Sequence, residues 1–484
     1  MALEKQVDPM YKWKLLKQYQ LAIPSETFTI QPCLRKMTIP ANALQGIAEV
    51  TKLTDLINSA VKEIISEYQT AGHDIPLLQS TEIGPFDAPH LASAKLSRAI
   101  QIVEAACAQL SFAVANPGHV ATNKSYGFEE PAGLQVVTTA NVADILLGKP
   151  DGLSVDEIAK QSGLDPNRLG RILRMLATKH CFQEVKPNVF ANNRISMQLA
   201  SMNPVSGLIG NMTDESFKAA SMLGDTMRDP KTAFSTSADD SAFYRAFKIP
   251  FFDFYDTTTG ETKRDRFAQA MVGWGEVTGR AMLPKSYAWE SVPVDSTICD
   301  VGGGNGHAML GLVKKFPQLK VILQDLPAVV QQGRDYWKTE RPEAIDQKRV
   351  EFVPIDFFAD QPVSGCDFYY LRHVLHDWPT SDCLKILTKI RKSMGSSSRL
   401  LIHEFVLQHA VRDPSVANQA PEPLLANYGM GRIRLYQQDM NMMNLFNSQE
   451  RTLQEFVDMG TKTGFKFEKL WDAGEAGLVE FTAV

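Results

Sequence analysis

Apolar residues recur every three or four positions from Leu53 to Tyr68, the spacing of one face of a helix. Gly72 then ends this predicted helix, and a proline-rich loop follows. The next apolar stretch, Leu96–Ala115, carries only a few charges and predicts a second, buried amphipathic helix. Residues 1–40 show no comparable period, so we expect a loose extension ahead of the first helix.

A helix-turn-helix pattern follows in the middle of the chain. Ser154 and Glu157 form a capping box ahead of an apolar run, Gly163 ends that helix, and Asp165–Pro166 opens the next one. Two short runs then predict the strands of a wing: Phe182–Val185 and Val189–Ala191. The pattern therefore indicates a winged-helix module.

Residues 200–285 predict helical pieces rich in Phe and Met, and beyond Ser286 short strand-like runs alternate with helices. The predicted strands are Thr297–Val301, Lys320–Asp325, Val350–Ile355, Asp367–Leu371, Leu400–Phe405, Phe465–Trp471 and Val479–Val484. Alternation of this kind predicts an α/β fold with a parallel, doubly wound sheet. Only the short turn Asp472–Gly477 separates the last two strands, so we expect an antiparallel terminal hairpin.

Charge and cysteine content exclude several classes of protein. The 484 residues carry 50 Lys and Arg against 55 Asp and Glu, a net charge of −5 that argues against broad nucleic-acid or anionic-membrane binding. The six cysteines show no metal-type or redox-type spacing, which favours a reduced, cytoplasmic compartment. The first residues lack an apolar signal core, and no uncharged stretch is long enough to span a membrane.

A glycine-rich motif, Asp300–Gly306, follows the first strand of the predicted sheet. It reads D-x-G-x-G-x-G, whereas the dinucleotide pattern G-x-G-x-x-G fails because His307 stands at its third glycine. Glycines in such a loop let the backbone turn sharply and approach a ligand closely. The alternative is a tight strand-to-helix turn that binds nothing.

Acidic residues end the next two predicted strands. Asp325 lies where an open α/β sheet places the carboxylate that binds ribose hydroxyls, although it could instead cap the following helix. Asp356, with Phe357 beside it, suits the amine and the flat face of an adenine, or is an ordinary strand end. With no phosphate-binding lysine, the set favours an adenosine without phosphates, such as S-adenosylmethionine.

His376 follows the fourth strand, on the ligand-binding edge of the sheet, where an imidazole can accept a proton near neutral pH. Glu404, at the end of the fifth strand, and Glu450 are candidates to hold one ring nitrogen and leave the other free as a base. We interpret His373 and His403 as structural histidines with their hydrogen bonds satisfied.

These motifs, in this order, resemble the plant and fungal small-molecule O-methyltransferases of the caffeic acid, flavonoid and aflatoxin type. The matching stretches are Asp300–Gly306, Gln324–Pro327, Asp356–Phe357, Leu371–Trp378 and Glu450–Thr452, and the likeness covers about residues 95–484. The segment Arg432–Asn444 looks most like the fungal secondary-metabolite branch.

The resemblance implies specific roles. It places the general base at His376 and the orienting carboxylates at Glu404 and Glu450. It implies cofactor contacts at Gly302, Gly303, Asp325, Asp356, Phe357 and Arg372. It implies an acceptor pocket lined by Asp377, Trp378, Met442 and Asn444. S-adenosylmethionine would be the cofactor, S-adenosylhomocysteine the product, and no metal would be required.

The resemblance also implies a domain order. Residues 1–95 would form a partly helical extension, residues 96–285 a winged-helix dimerisation and substrate-lining domain, and residues 286–484 the Rossmann-like catalytic domain. We expect a homodimer that acts on a small-molecule acceptor. Two features depart from the plant enzymes: the first 90 residues and a proline-rich insertion at Val411–Tyr428.

Other functions remain open at this stage. Some fungal proteins of this fold keep the cofactor but catalyse dehydrations or pericyclic reactions, which retention of His376 and both glutamates disfavours. A DNA-binding regulator would use Arg168, Arg171, Arg174 and Lys179, against the acidic charge balance. His307 disfavours a dinucleotide dehydrogenase. The following apolar residues suggest a flat aromatic acceptor such as a polyketide phenol, or simply core packing: Phe243, Phe247, Phe251, Phe252, Trp274, Met442 and Met443.

Overall fold

The two N-terminal helices form where the apolar period predicts them. The computed structural model describes residues 43–484, so the extension predicted over residues 1–40 lies outside the described part of the chain. Helix α1 spans Ala43–Thr70 and helix α2 spans Ala94–Val114, with the Ser93 side chain capping α2. Among the described helices, none is long and apolar enough to cross a membrane.

The helix-turn-helix and its wing are present. The helices before it are α3 (Pro117–Ser125), α4 (Glu129–Thr139) and α5 (Val142–Ile145). Strand β1 (Leu153–Ser154) leads into α6 (Val155–Ser162) and α7 (Pro166–Thr178), and the wing is β2 (Gln183–Lys186) and β3 (Val189–Ala191). Ser154 and Glu157 make both bonds of the predicted capping box, and Gly163 ends α6 with φ +73°. The three strands pair in the order β1-β3-β2.

Short helices fill the stretch between the wing and the large sheet. They are α8 (Pro204–Asn211), α9 (Phe217–Ser221), α10 (Leu223–Arg228), α11 (Ala242–Phe247), α12 (Phe251–Phe254), α13 (Thr258–Glu261) and α14 (Arg264–Val277). A π-helical turn, Met212–Ser216, joins α8 to α9 and buries Asp214 and Glu215. Both carboxylates pair with Lys263 and Arg266 near the start of α14, which compensates the cost of burying them.

The C-terminal part is a seven-stranded mixed sheet with helices on both faces, which confirms the α/β fold class. Its strands are β4 (Thr297–Val301), β5 (Lys320–Asp325), β6 (Val350–Pro354), β7 (Phe368–Arg372), β8 (Arg399–Glu404), β11 (Phe465–Ala473) and β12 (Ala476–Ala483), after the minor strands β9 (Val406–Leu407) and β10 (Arg451–Thr452). Their spatial order is β11-β12-β8-β7-β4-β5-β6.

Register and helices follow the expected doubly wound pattern. Strand β4 pairs parallel to both β5 and β7, while β12 pairs antiparallel to β8 and β11. The connecting helices are α15 (His307–Lys315), α16 (Pro327–Glu340), α17 (Pro342–Asp346), α18 (Thr380–Ser393), α19 (Ile433–Phe446) and α20 (Leu453–Lys462). The turn of the hairpin is shorter than predicted, because β11 continues to Ala473 and β12 begins at Ala476.

The insertion that departs from the plant pattern packs against the first two helices. Ala420, Leu424 and Tyr428 form one buried cluster with Leu53 of α1 and with the alanines of α2. The Gln109 side chain on α2 also donates a hydrogen bond to the Pro423 carbonyl, at 3.0 Å. The insertion and the two N-terminal helices therefore share one buried apolar cluster.

Candidate functional site

The candidate residues gather at one edge of the large sheet. Strands β4, β5 and β7 run parallel with one another, and β6 and β8 continue the same direction at either side. The carboxyl ends of parallel strands meet at one edge, and ligands of open α/β sheets bind there. Asp325 and Glu404 end two of these strands, and the loops after the other three carry the glycines, Asp356 and His376.

The glycine loop closes tightly onto the end of the next strand. The backbone N–H groups of Gly302 and Gly303 both donate to the Gln324 carbonyl, at 2.8 and 3.2 Å. Gly302 has φ +74°, and a Cβ on Gly303 would lie 2.5 Å from the Asp300 carboxylate, so neither position tolerates a side chain. A Cβ at Gly304 would meet no atom within 4 Å, so the loop faces open space there.

Asp300 is a site residue that the sequence analysis passed over except as a letter of the motif. It is buried, and burial together with the neighbouring Asp325 raises the pKa of its carboxyl to about 8, against the lowering effect of Arg372. At neutral pH its carboxyl is therefore largely protonated and can donate a hydrogen bond.

Asp325 holds the glycine loop in place. One carboxylate oxygen accepts the Gly304 N–H at 2.9 Å, and the other accepts the N–H of Leu326 at 2.8 Å. Burial raises the pKa of this carboxyl, and the two backbone bonds oppose the rise. Each oxygen keeps a second lone pair, so the residue can still accept from a diol.

Asp356 and Phe357 lie beside the same loop. Asp356 is exposed and accepts the Phe358 N–H at 2.8 Å, which fixes the turn after β6. The Phe357 ring lies against Gly302, where a Cβ would come within 3.6 Å of it, and its centroid is 6.0 Å from that of Trp378. The structure thus brings the third strand end to the first.

His376 sits in a buried 3₁₀ turn, Leu375–Asp377, after β7. Its Nδ1–H donates to Glu450 Oε1 at 2.7 Å, and its Nε2 lies 3.6 Å from the Asp377 carboxylate. Burial lowers the pKa of the imidazole, but the carboxylates of Glu450, Glu404 and Asp377 outweigh burial and raise it to about 10. Burial also raises the pKa of Asp377 to about 7, although the charge of His376 lowers it.

The contacts of Glu404 differ from those of Glu450. Its Oε1 accepts the backbone N–H groups of Val374 and Leu375, both at 2.9 Å, so it holds the turn that carries His376. Its Oε2 lies 3.8 Å from His376 Nδ1, too far for a hydrogen bond. Of the two predicted orienting carboxylates, Glu450 contacts the ring and Glu404 contacts the backbone beside it.

Two further residues brace the same turn and were not singled out from the sequence. The buried Arg451 guanidinium donates to the carbonyls of Leu375 and Trp378, both at 2.7 Å, and the Ser448 hydroxyl donates to the His376 carbonyl at 2.5 Å. Both lie within two residues of Glu450 in the sequence. This proximity to a candidate carboxylate is the one sequence feature that could have indicated their role.

The two histidines interpreted as structural differ from each other. His403 Nδ1 forms a hydrogen bond with the Tyr370 hydroxyl at 2.7 Å, but its buried Nε2 has no partner within residues 43–484, so that interpretation holds for one ring nitrogen only. For His373 it holds for neither: among the described residues neither of its ring nitrogens has a hydrogen-bond partner, although the side chain is buried. The ligand atoms of His373, His376 and Glu404 lie within 4.8 Å of one another, a set that could hold a metal ion such as zinc.

The remaining predicted site residues lie outside the 3₁₀ turn that carries His376. Arg372 ends β7 and donates to the Thr278 hydroxyl at 3.1 Å, and burial lowers the pKa of its guanidinium. Met442 packs in an aromatic cluster with Phe243, Phe251 and Phe254, so these phenylalanines contact each other as core. Asn444 is buried, and its Oδ1 lacks a partner within residues 43–484.

Trp274 and Met443 lie outside that aromatic cluster. The Trp274 ring lies 6.3 Å from the His373 ring and 5.8 Å from Phe405, centroid to centroid, next to the histidines. Met443 instead lines a cavity of about 420 Å³, whose wall also includes Asp439 and Glu450. The apolar residues that the sequence suggested for an aromatic acceptor therefore lie in three different places: the aromatic cluster, the surroundings of His373 and the wall of this cavity.

Comparison with known protein families matches most of the chain. Residues 223–466 match the O-methyltransferase domain, and residues 124–201 match the O-methyltransferase dimerisation domain. The curated 3-O-methyltransferase 2 of Phanerochaete chrysosporium is 50% identical over 90% of this chain and 98% of its own length. O-methyltransferase tpcA of Aspergillus fumigatus is 32% identical over 90% of this chain and 97% of its own length.

Solved structures share the fold. The mitomycin 7-O-methyltransferase MmcR superposes with a TM-score of 0.62 at 24% identity, over 76% of this chain and 98% of its own. A structure titled "A Pericyclic Reaction enzyme" superposes with a TM-score of 0.66 at 20% identity, over 88% of this chain and 99% of its own. At these identities the likeness concerns the fold alone.

Proposed function

The chain belongs to the S-adenosylmethionine-dependent O-methyltransferases of fungal secondary metabolism, and from that premise we propose that it methylates a phenolic hydroxyl with His376 as general base. The observation that carries this proposal is the 2.7 Å bond from His376 Nδ1 to Glu450 Oε1. It fixes the ring and directs Nε2 away from Glu450, which is the arrangement a general base needs.

The raised pKa of His376 suits a phenol. An ordinary histidine has a pKa near 6.5, and a phenol has a pKa near 10. Moving the proton from the phenol to such a histidine is unfavourable by about 3.5 pKa units, or about 4.8 kcal/mol. The carboxylates around His376 raise its pKa to about 10, so the two pKa values match. Proton transfer between groups of matched pKa costs little, but the imidazole must first lose its own proton, so the base gains strength only as the pH rises toward that value.

The residues at the sheet edge fit the cofactor. The open space at Gly304, the lone pairs of Asp325 and the flat ring of Phe357 suit a nucleoside, with Gly302, Gly303, Asp356 and Arg372 as further contacts. S-adenosylmethionine, when bound, supplies the methyl group on a sulfonium. The cofactor would supply this methyl group to the acceptor oxygen as its bond to sulfur breaks, and His376 Nε2 would accept the hydroxyl proton. No metal enters this scheme.

The acceptor would lie on the Nε2 side of His376. We assign Asp377, Trp378, Met442 and Asn444 to its pocket, and we infer a small aromatic or polyketide-type secondary metabolite. Support comes from the flat Trp274 ring beside the histidines and from the buried, unpartnered Oδ1 of Asn444. The five described cysteines are free thiols, which supports a cytoplasmic enzyme.

The test of this function is product chemistry. We expect the purified enzyme to convert phenolic acceptors to methyl ethers and to release one S-adenosylhomocysteine per ether, in the presence of a chelator. Mass spectrometry of both products checks the ratio. Conversion of an acceptor without S-adenosylhomocysteine would contradict methyl transfer and favour a pericyclase or dehydratase that retains the cofactor.

We further propose that two chains form a symmetric dimer through residues 96–200, which overlap the match to the dimerisation domain over residues 124–201. Exposed apolar side chains on α2, among them Ile100, Phe112 and Val114, would become buried there. On this basis residues 96–285 form a dimerisation and substrate-lining domain ahead of the catalytic residues 286–484. Light scattering at micromolar concentration should give twice the chain mass, and a monomer mass would contradict the proposal.

A further inference from the structure

The cavity of about 420 Å³ that Met443 lines is separate from the aromatic cluster. On α19, Asp439 and Met443 lie four residues apart, share one face of the helix and border the cavity. Met442, on another face of α19, packs in the aromatic cluster instead. The rest of the wall comes from α10, from the loop that follows it and from residues 447–455. A cavity of this volume is large enough for a small-molecule ligand.

Three carboxylates stand in the wall of this cavity: Asp439, Glu450 and Glu455. Among the described residues that line it there is no lysine, arginine or histidine. The Glu450 side chain is 0% exposed, and its Oε2 has no hydrogen-bond partner within residues 43–484. Asp439 is partly buried and Glu455 is exposed, so the three groups range from the buried interior to solvent. Carboxylates shielded from water favour a positively charged partner.

Asp439 is the carboxylate between the other two in exposure, and it retains acceptor capacity. Its Oδ1 accepts the backbone N–H of Glu450 at 2.9 Å, which leaves the second oxygen for a ligand. Burial raises the pKa of Asp439, as do the charges of Glu450 and Glu455, while the Glu450 N–H bond and the charge of Arg451 oppose the rise. The three carboxylates therefore repel one another, and a cation between them would relieve that repulsion.

The spacing and the apolar part of the wall favour an organic cation over a metal ion. Among the described residues, the three cavity carboxylates do not form a group close enough to share a metal ion, unlike His373, His376 and Glu404. The wall also includes four apolar side chains: Leu223, Met227, Leu407 and Met443. Apolar walls with a few convergent polar groups are typical of sites for small organic molecules.

We propose that this cavity binds a small organic cation, a protonated amine that carries an apolar group, and that the bound amine slows methyl transfer. The ammonium group donates to the carboxylates of the wall, and the apolar group contacts the methionine and leucine side chains. Glu450 holds the His376 ring at 2.7 Å, so a positive charge beside Glu450 weakens the general base. The effect on methyl transfer rests on the proposed function, whereas binding of the amine does not.

Probes of one shape and two near-isosteric variants separate charge from packing. The probes are phenethylamine, 2-phenylethanol and phenylacetate, which are cationic, neutral and anionic at neutral pH. Asp439→Asn keeps an acceptor for the Glu450 N–H, and Glu455→Gln keeps the capping box of α20, because glutamine also serves at that position. Asp458→Asn, an exposed change on α20 outside the wall, is the control.

Calorimetry on the native enzyme should show that phenethylamine binds about 10–100-fold more tightly than 2-phenylethanol, the effect of charge-assisted hydrogen bonds. Phenylacetate should bind least. Asp439→Asn and Glu455→Gln should each reduce the preference for the amine by about 10-fold and leave the affinity for the alcohol in place. Asp458→Asn should change neither. Unchanged affinity for S-adenosylhomocysteine in each variant would show that the fold is intact.

The kinetic effect separates this cavity from the acceptor and cofactor sites. Phenethylamine should reduce turnover by about 5-fold or more, a typical coupling between two sites. The reduction should persist at saturating acceptor and saturating S-adenosylmethionine, because the amine competes with neither. Asp439→Asn should require about 10-fold more amine for the same fractional inhibition, measured against its own uninhibited rate.

Four results would overturn the inference: equal affinity for amine and alcohol, an unchanged preference in both variants, release of the amine by saturating acceptor, or its displacement by magnesium chloride at constant ionic strength. The third result would place the amine in the acceptor pocket, and the fourth would make the cavity a metal-ion site. If no phenol yields S-adenosylhomocysteine but the amine still binds with the expected variant pattern, the proposed function fails and the cation site stands.

Discussion

The strand ends at the two sides of the site differ in how their polar atoms are satisfied. On one side, which we term the cofactor edge, Gly302–Gly306, Asp325 and Asp356 form hydrogen bonds with backbone groups of their own or neighbouring strand ends. On the other side, the histidine cluster consists of His373, His376, Glu404 and Glu450. It is buried, and four of its nitrogen and oxygen atoms have no partner within residues 43–484.

This contrast separates binding from chemistry. The cofactor edge is ordered by its own hydrogen bonds, so a ligand finds its groups already in position. The histidine cluster keeps charges where water does not screen them, so each carboxylate acts strongly on the ring beside it. Changes at the cofactor edge should therefore act on affinity, and changes in the cluster should act on rate.

The largest expected effect comes from His376. His376→Ala should reduce single-turnover methyl transfer by about 10²–10⁴-fold, the usual contribution of a general base. Cofactor affinity, measured by calorimetry, should stay within a few-fold, because the adenosine side of the site does not include this ring. His409→Ala, an exposed position, is the control. A matching loss of cofactor affinity would break the division between the two sides.

Asp325 should show the reverse pattern. Asp325→Ala leaves the Gly304 amide and the cofactor hydroxyls unpaired, so affinity for S-adenosylhomocysteine should fall by about 1–3 kcal/mol. Turnover at saturating cofactor should change little. Asp335→Asn, an exposed change on α16, is the control, and unchanged affinity in Asp325→Ala would refute the ribose assignment.

The smallest expected effect is a shift in pH dependence. His376 must be neutral to accept a proton, so kcat/KM for the acceptor should rise with pH toward the raised pKa of about 10. Glu450→Gln removes the carboxylate that raises this pKa most, so the rise should move to lower pH, with a lower plateau from a weaker base. Glu468→Gln on strand β11 should leave the profile in place; the same profile in Glu450→Gln would contradict the pairing.

The sheet was predictable from the sequence because its strands are short apolar runs between turn residues. Thr297–Val301 and Lys320–Asp325 match the predicted bounds, and the capping box at Ser154 identified the start of α6. The turn of the closing hairpin was predicted too long, since the two strands pair as far as Ala473 and Ala476. Local patterns determine such elements, so sequence suffices for them.

The contacts inside the site depend on long-range geometry that no local pattern reports. The sequence offered Glu404 and Glu450 equally as carboxylates that orient His376. In the structure Glu404 accepts from the backbone of the His376 turn, whereas Glu450 accepts from the His376 ring. His373 was interpreted as a satisfied structural residue and proved unpartnered. The insertion reached α1 and α2 across more than three hundred residues of chain, which no spacing rule would have indicated.

The central claim, that His376 removes the acceptor's proton, is tested most directly by varying the acidity of that proton. A series of equally sized phenols with pKa values from about 7 to about 10 would be methylated by the native enzyme and by His376→Ala at neutral pH. We predict that the native enzyme exceeds the variant most for the weakest acid and that the two converge for phenols already ionised. An equal deficit across the whole series would contradict the claim and leave His376 a merely structural part of the site.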